Sequence, residues 1–106
     1  MLPSANRLKL PVSWNRSPDF ANRGPFFKLL AKKGSGEAKI GFVITTKVGK
    51  ATVRNSLKRK LGEIFSTRLK ALTNLEIILI LYPTIVGATD EEISASLDKA
   101  LPKNSF

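Results

Sequence analysis

The apolar positions along the first half of the chain predict two strands. Phe26–Ala31 is a short, mostly apolar run, and apolar residues alternate through Ala38–Thr46. The alternation places Ile40, Phe42 and Ile44 on one face of the second strand. Glycines in the intervening stretch 32–37 are typical of a turn, so we expect the two strands to pair antiparallel.

The second half changes to a helical period at Ala51. Apolar residues then recur every three to four positions and predict one amphipathic helix reaching about Lys70. This stripe comprises Val53, Leu57, Leu61, Ile64, Phe65 and Leu69. Leu75–Tyr82 has apolar residues at both odd and even positions, which predicts a central strand covered on both faces. This strand is expected to lie parallel to the strand before the helix. Asp90–Leu101 predicts a last helix, capped by Thr89 or Asp90.

Residues 1–25 predict an irregular N-terminal segment because four prolines interrupt it. A short helix over Asp19–Arg23 is expected there, with Ser17 as N-cap and Pro18 in its first turn. The length fits one domain, residues 1–106. The order (α)ββαβα predicts an α+β fold, a two-layer sandwich of helices on a sheet.

Charge narrows the function classes. The chain has 18 Lys and Arg against 8 Asp and Glu, a net charge of +10, and residues 47–70 hold eight cations and one acid. This excess predicts a polyanionic partner. The absence of Cys and His removes thiolate and imidazole chemistry, including zinc fingers and Ser-His catalysis. The start has no apolar signal region and no run is long enough to span a membrane, so a cytoplasmic protein is expected.

The cations of the predicted helix share one outer face. Arg54, Asn55, Lys58, Arg59 and Gly62 fall away from the apolar stripe, and Lys60 falls near its edge. Lys47 and Lys50 precede the helix N-terminus, whose free N–H groups suit phosphate. A solvated face normally mixes charge signs, so RNA or DNA binding is the favoured interpretation. An ATP-type phosphate loop is rejected because Ile44 and Ala51 stand where it needs Gly and Ser or Thr.

The loop and helix resemble the signature of the bacterial ribonuclease P protein family, a loop like KKVGKA followed by RNRxKRxxR. The matching residues are Lys47-Val48-Gly49-Lys50-Ala51 and Arg54-Asn55-Ser56-Leu57-Lys58-Arg59. The opening Leu2-Pro3 and Asn6-Arg7-Leu8 resemble the family's LPxxxRL. The sequence departs from the family where Ser56 and Gly62 replace arginines, and where Pro11 and Pro18 interrupt the usual first helix.

The resemblance implies a fold like the second domain of ribosomal protein S5, with a left-handed crossover. It implies an RNA-binding subunit of an endoribonuclease, in which a catalytic RNA using Mg²⁺ removes the 5′ leader of precursor tRNA. The protein then carries no catalytic residue, metal or cofactor, and its partners are the catalytic RNA and precursor tRNA, not a membrane or small-molecule substrate. The alternatives are a ribosomal or other structural RNA-binding protein on a similar fold, and a DNA-binding domain.

The same resemblance implies site residues. The RNA contacts expected from it are Lys47, Lys50, Arg54, Asn55, Lys58, Arg59 and, more weakly, Lys60. A groove for the leader is implied between the first helix and the open sheet face. Rings that could stack on bases there are Phe20, Phe26, Phe27 and Phe42, and core packing is the favoured alternative for these four.

Overall fold

A computed structural model of the chain describes residues 6–8, 18–34 and 36–101. Within them the elements are β1 (Phe20–Arg23), β2 (Phe27–Lys33), β3 (Lys39–Val43), α1 (Ala51–Ser66), β4 (Leu75–Leu81) and α2 (Asp90–Ala100). Short 3₁₀ helices at Lys70–Leu72 and Pro83–Gly87 flank β4. No helix in the described ranges is long and apolar enough to cross a membrane.

The four strands form one sheet in the order β1-β2-β4-β3. β2 lies antiparallel to both β1 and β4, and β3 lies parallel to β4. The predicted central strand and the parallel strand–helix–strand unit are therefore confirmed. β4 has apolar residues at both odd and even positions, as expected for a strand that lies between β2 and β3 with both of its faces largely buried.

The expected antiparallel pairing of β2 with β3 is wrong, because β4 is inserted between them. The glycine turn that suggested a hairpin hydrogen-bonds to the entrance of β4 instead. Gly34 N donates to Asn74 O at 2.8 Å, and Asn74 N donates to Gly36 O at 2.8 Å. Asn74 adopts a φ of 68°, a left-handed conformation that Asn tolerates better than most residues.

The short helix expected over Asp19–Arg23 is also wrong, since Phe20–Arg23 is the edge strand β1. Its pairing with β2 sets Phe20 opposite Ala31 and Arg23 opposite Lys28. The Asp19 carboxylate accepts a hydrogen bond from Lys33 N at 3.0 Å, which extends the contact beyond the ladder. The proposed cap Ser17 and the prolines before Pro18 lie outside the described residues.

The core lies between one face of the sheet and the two helices, which confirms the two-layer α+β architecture. Side chains from alternate strand positions, Phe27, Leu29, Ile77 and Leu79, are fully buried there. They meet the equally buried Leu61 and Phe65 of α1 and Ile93 and Leu97 of α2. Leu30 and Ile78 are buried on the opposite face. Residues 6–8 run along the outer edge of β3, where Leu8 N donates to Ile40 O at 2.9 Å.

Helix α1 ends at Ser66, earlier than the predicted Lys70. Side chains take the last carbonyls: Ser66 Oγ donates to Glu63 O at 2.6 Å, and Thr67 Oγ1 donates to Ile64 O at 3.1 Å. Ser and Thr commonly compete with the helix in this way. The apolar period continues through Leu69 because the following turn still packs against the core.

Candidate nucleic-acid interface

The loop before α1 is held by one buried residue. Val48 is 6% exposed and belongs to the core, and its N–H donates to Thr45 O at 3.1 Å. Lys47 and Lys50 flank this anchor and are both exposed. The loop therefore holds two cations in solvent at the mouth of the helix.

Gly49 lets this loop approach the first turn of α1. A Cβ atom at Gly49 would lie 3.0 Å from Val53 Cγ1 and 3.1 Å from Val53 Cβ. These distances are shorter than the about 3.5–4.0 Å at which carbon atoms pack, so the Val53 side chain would have to shift. The glycine of the KVGKA loop is thus explained by close packing against the helix that it introduces.

The N-terminus of α1 is left without a side-chain cap. Lys50 is the N-cap residue, its side chain makes no capping hydrogen bond, and the first turn contains no acid. The N-terminus of α2 is the opposite case: Thr89 and Glu92 form a capping box, and Asp90, Glu91 and Glu92 fill the first turn. Open N–H groups, the helix dipole and two exposed lysines all favour an anion at the start of α1.

The two faces of α1 divide as the sequence predicts, with one exception. Leu57, Leu61 and Phe65 are buried, whereas Asn55, Lys58 and Arg59 are exposed. Gly62, expected on the outer face, is buried. The glycine that replaces the family's arginine at this position therefore affects how the helix packs. It does not change which RNA-binding candidates are exposed.

Arg54 is half-buried at the start of this face. Its Nε atom is enclosed, and no described group accepts a hydrogen bond from it. No described carboxylate forms an ion pair with Arg54. Since enclosed donors are nearly always paired in folded proteins, this Nε requires an acceptor other than the described residues.

Lys60 differs from the other cations of α1. Its Nζ lies 3.0 Å from Asp90 Oδ1, at the first residue of α2. This pair connects the two helices, so Lys60 already has a protein partner. The sequence predicted Lys60 to be a weaker RNA contact, because it falls near the edge of the apolar stripe, and the pairing with Asp90 agrees with that prediction.

The four phenylalanines proposed for a leader groove all pack against the core. Phe27 is fully buried and offers no ring face to a base. Phe42 contacts Phe65 of α1, with ring centroids 5.9 Å apart, and Phe20 shares the helix-covered side of the sheet with its neighbour Ala31. Phe26 is half-buried. The structure therefore places Phe27 in the core and the other three rings against it.

The sheet face opposite the helices carries charges that periodicity did not identify. Register sets Lys32, Glu76 and Lys39 in one row across the sheet, and Asp19 Oδ1 lies 3.5 Å from Lys32 Nζ. Four residues from Lys32 along β2, Lys28 lies side by side with Arg23 of β1, and their row contains no acid. These two cations could not be found from sequence, because only the strand order brings them together.

Among the residues that the structure describes, three groups have displaced pKa values. Hydrogen bonds to Asp98 raise the pKa of the Arg68 guanidinium, and the same hydrogen bonds lower the pKa of the Asp98 carboxyl. The hydrogen bond from Lys33 N is the main cause that lowers the pKa of Asp19, with Lys32 contributing. All three shifts favour the charged forms and belong to contacts within the protein, not to the exposed face of α1.

Comparison with known proteins decides the family. The Ribonuclease P family model matches residues 2–104. The chain belongs to the ribonuclease P protein family. A ribonuclease P protein component from Gluconacetobacter diazotrophicus is 30% identical over 109 residues, covering 97% of this chain and 94% of the relative. One from Thermus scotoductus is 39% identical over 72 residues, covering 68% of this chain and 43% of the relative.

Solved structures agree with the ribonuclease P protein fold. A Staphylococcus aureus RNase P protein mutant matches with a TM-score of 0.79 at 22% identity, covering 91% of this chain and 85% of the other. The Thermotoga maritima RNase P protein matches with a TM-score of 0.74 at 25% identity, covering 88% and 92%. The chain spans less than half the length of the two Thermus relatives and most of several others.

No group of three or more potential metal ligands is found among the described residues. Among the described acids, Asp19, Asp90 and Asp98 pair with cations, and Glu91 and Glu92 lie in the first turn of α2.

Proposed function

We propose that this chain is the RNA-binding protein subunit of ribonuclease P. In that role it binds the catalytic RNA and assists it in removing the 5′ leader from precursor tRNA. The observation that carries the proposal is the uncapped, acid-free N-terminus of α1 beside exposed Lys47, Lys50, Lys58 and Arg59. Family membership supports the same role.

The contacts would be mainly electrostatic. Lysines and arginines on a rigid helix neutralise phosphates and release condensed counterions. Arg54 and Arg59 can donate two parallel hydrogen bonds to one phosphate, and Asn55 can reach sugar or base groups. If about six phosphates are engaged, log affinity should fall with log salt at a slope of about −4 to −5.

The chemistry would belong to the RNA and its Mg²⁺ ions. The sequence offers no His or Cys, and the described acids do not gather into a metal-binding group. The protein would then act by holding the RNA strands in register and by reducing their mutual repulsion.

Leader binding is proposed at the sheet face away from the helices. Lys28 and Leu30 of β2 lie on that face, beside Ile78 and Ile80 of β4. Leu30 and Ile78 are themselves buried, so the contacts to a strand would come from the half-buried Lys28 and Ile80. A cation beside accessible apolar groups is typical of surfaces that hold single strands. Phe27 is not included, because its ring is fully enclosed.

The test is reconstitution with the ribonuclease P RNA of the same organism and a precursor tRNA at low Mg²⁺. Addition of the protein is expected to stimulate 5′ cleavage at the mature end. The protein alone should not cleave the substrate. Absence of stimulation, together with co-sedimentation with ribosomes, would instead support the ribosomal alternative.

A further inference from the structure

The middle of the sheet face away from the helices is buried, although no described helix covers it. Register sets Ala21, Leu30, Ile78 and Gly41 in one row across the four strands, which we call the apolar row. Leu30 is 5% exposed, Ile78 is 3% exposed, and Gly41 is buried with them. Neither Leu30 nor Ile78 belongs to the core between the sheet and the helices. Since apolar side chains on an uncovered sheet face remain exposed to water, another part of the protein must lie over this row.

The two rows beside the apolar row are more accessible, because all of their residues are half-buried or exposed. These residues are Lys32, Glu76 and Lys39 on one side, and Arg23, Lys28, Ile80 and Val43 on the other. Successive rows on one face of a sheet are about 7 Å apart. A cover that buries one row and leaves both of its neighbours accessible is therefore narrow, and its width fits a single segment of chain.

The chain supplies such a segment between described residues on opposite edges of the sheet. Leu8 lies at the outer edge of β3, where its N–H donates to Ile40 O at 2.9 Å. Asp19 leads into β1 at the other edge, and its carboxylate accepts a hydrogen bond from Lys33 N at 3.0 Å. The two edges are three strand spacings apart, about 14 Å, whereas a chain of about eleven residues reaches about 36 Å. Residues 9–17 are therefore long enough to cross the sheet.

One face of the sheet is available for this crossing. The other face is covered by α1 and α2, which pack on it to form the core. A path round either end of the sheet would leave Leu30 and Ile78 without a cover. A direct path from Leu8 to Asp19 passes over the middle strands β4 and β2, which carry these two side chains. Connectivity and burial thus give the same position for residues 9–17.

The composition of this segment fits an apolar surface. Leu10, Val12 and Trp14 stand at alternate positions of the sequence. Trp14 comes six residues after Leu8 and five before Asp19, so it falls near the middle of the crossing and not over an edge strand. A tryptophan ring is also the side chain that buries the largest apolar area when it packs on such a surface.

We propose that residues 9–17 dock on the apolar row, with the Trp14 ring seated against Leu30 and Ile78. The docking is a contact within the chain and does not depend on RNA. It leaves Lys28 accessible to a nucleic acid on the same face, and that consequence alone rests on the proposed function.

Nuclear Overhauser effects in the full-length protein test this contact directly. The chain has one tryptophan, so the indole resonances belong to Trp14. They should show cross-peaks to the methyl groups of Leu30 and Ile78, and absence of these cross-peaks would overturn the proposal. Cross-peaks that join two molecules, in a mixture of labelled and unlabelled protein, would also overturn it, because a second copy would then cover the row.

Quenching of Trp14 fluorescence by acrylamide gives an independent readout. Quenching should be several-fold weaker in the folded parent than in urea, because the ring is enclosed. Ile78→Ala should raise the quenching constant of the folded protein about twofold by opening a gap beneath the ring, whereas Ile64→Ala, the same change on α1, should leave it unchanged. Equal quenching constants in the two variants would overturn the proposal. If Ile78→Ala does not fold, the parent decides: equal quenching with and without urea, or protection of Trp14 only after precursor tRNA is added, would overturn the proposal.

Discussion

Arg68 holds Asp98 by two hydrogen bonds, from Nε to Oδ1 at 2.8 Å and from Nη2 to Oδ2 at 3.1 Å. The same guanidinium donates to Ser94 Oγ at 2.6 Å and to Ile64 O at 2.7 Å. It therefore joins the end of α1 to α2 and covers a terminal carbonyl of α1. Arg68 belongs to the basic segment 47–70 by sequence, but its hydrogen bonds make it a structural residue.

Replacing Arg68 with Gln is expected to lower the free energy of unfolding by about 1–2 kcal/mol, because several hydrogen bonds of a half-buried guanidinium are lost. Exposure of Asp98 limits the ionic part of this effect. Urea unfolding followed by circular dichroism measures the change. Lys70→Gln, which removes an exposed cation two residues after Arg68, is the matched control and should change stability little. Equal losses in both variants would contradict the role assigned to Arg68.

Stability should fall in acid through Asp98 and Asp19. The pKa values of both carboxyls lie below their ordinary 3.8 in the folded protein. The unfolded chain then binds more protons, so stability rises with pH; their contribution is complete above about pH 5 and is lost as pH falls through the folded pKa values. When urea midpoints are measured between pH 2 and 7, the midpoint of Asp19→Asn/Asp98→Asn should fall less steeply toward low pH than that of the parent. An equally steep fall in both proteins would show that other groups control acid stability.

Gly49→Ala should destabilise the loop before α1 by about 1–3 kcal/mol, since the new Cβ would overlap Val53. Thermal unfolding measures the loss. Gly87→Ala is the control, because no atom lies within 4 Å of a Cβ at Gly87. In a Val53→Ala background, Gly49→Ala should cost less stability than it does in the parent, because the side chain that it would crowd is smaller. An equal cost of Gly49→Ala in both backgrounds would contradict the steric explanation.

The fold could be predicted from sequence where local pattern and burial agree. Helix α1, helix α2 and its cap, and the doubly buried β4 all follow from apolar period and capping residues. The pairing of β2 with β4 could not be predicted, because a glycine turn is equally compatible with a hairpin and with a crossover. β1 is a strand and not the expected helix because its residues pair with β2, at Ala31 and Lys28. This pairing is not visible in the local pattern of residues 19–23.

The cations of α1 should contribute unequally to RNA affinity. Lys58→Ala and Arg54→Ala are each expected to weaken binding to the ribonuclease P RNA and to reduce the salt slope by about 1. Lys60→Ala should weaken binding less, because Lys60 already pairs with Asp90. Filter binding or fluorescence anisotropy between about 50 and 200 mM salt measures all three. Unchanged affinity of the Lys58 and Arg54 variants near physiological salt would exclude this face as the interface.

The candidate site shows the same division between local and non-local information. Exposure of Lys47, Lys50, Lys58 and Arg59 follows from loop and helix pattern alone. The burial of Gly62, the engagement of Lys60 by Asp90 and the enclosure of Phe27 depend on how α1, α2 and the sheet pack together.

The most direct test of the central claim maps the RNA around α1. The chain has no cysteine, so Ser56→Cys on the exposed side of α1 gives one attachment point for an iron-based radical probe. Thr73→Cys, exposed between α1 and β4, gives the control. In complexes with the ribonuclease P RNA, the probe at position 56 should cleave a confined set of RNA nucleotides that the probe at position 73 leaves intact. Absence of RNA cleavage from position 56, or the same pattern from both positions, would contradict the assignment of this face.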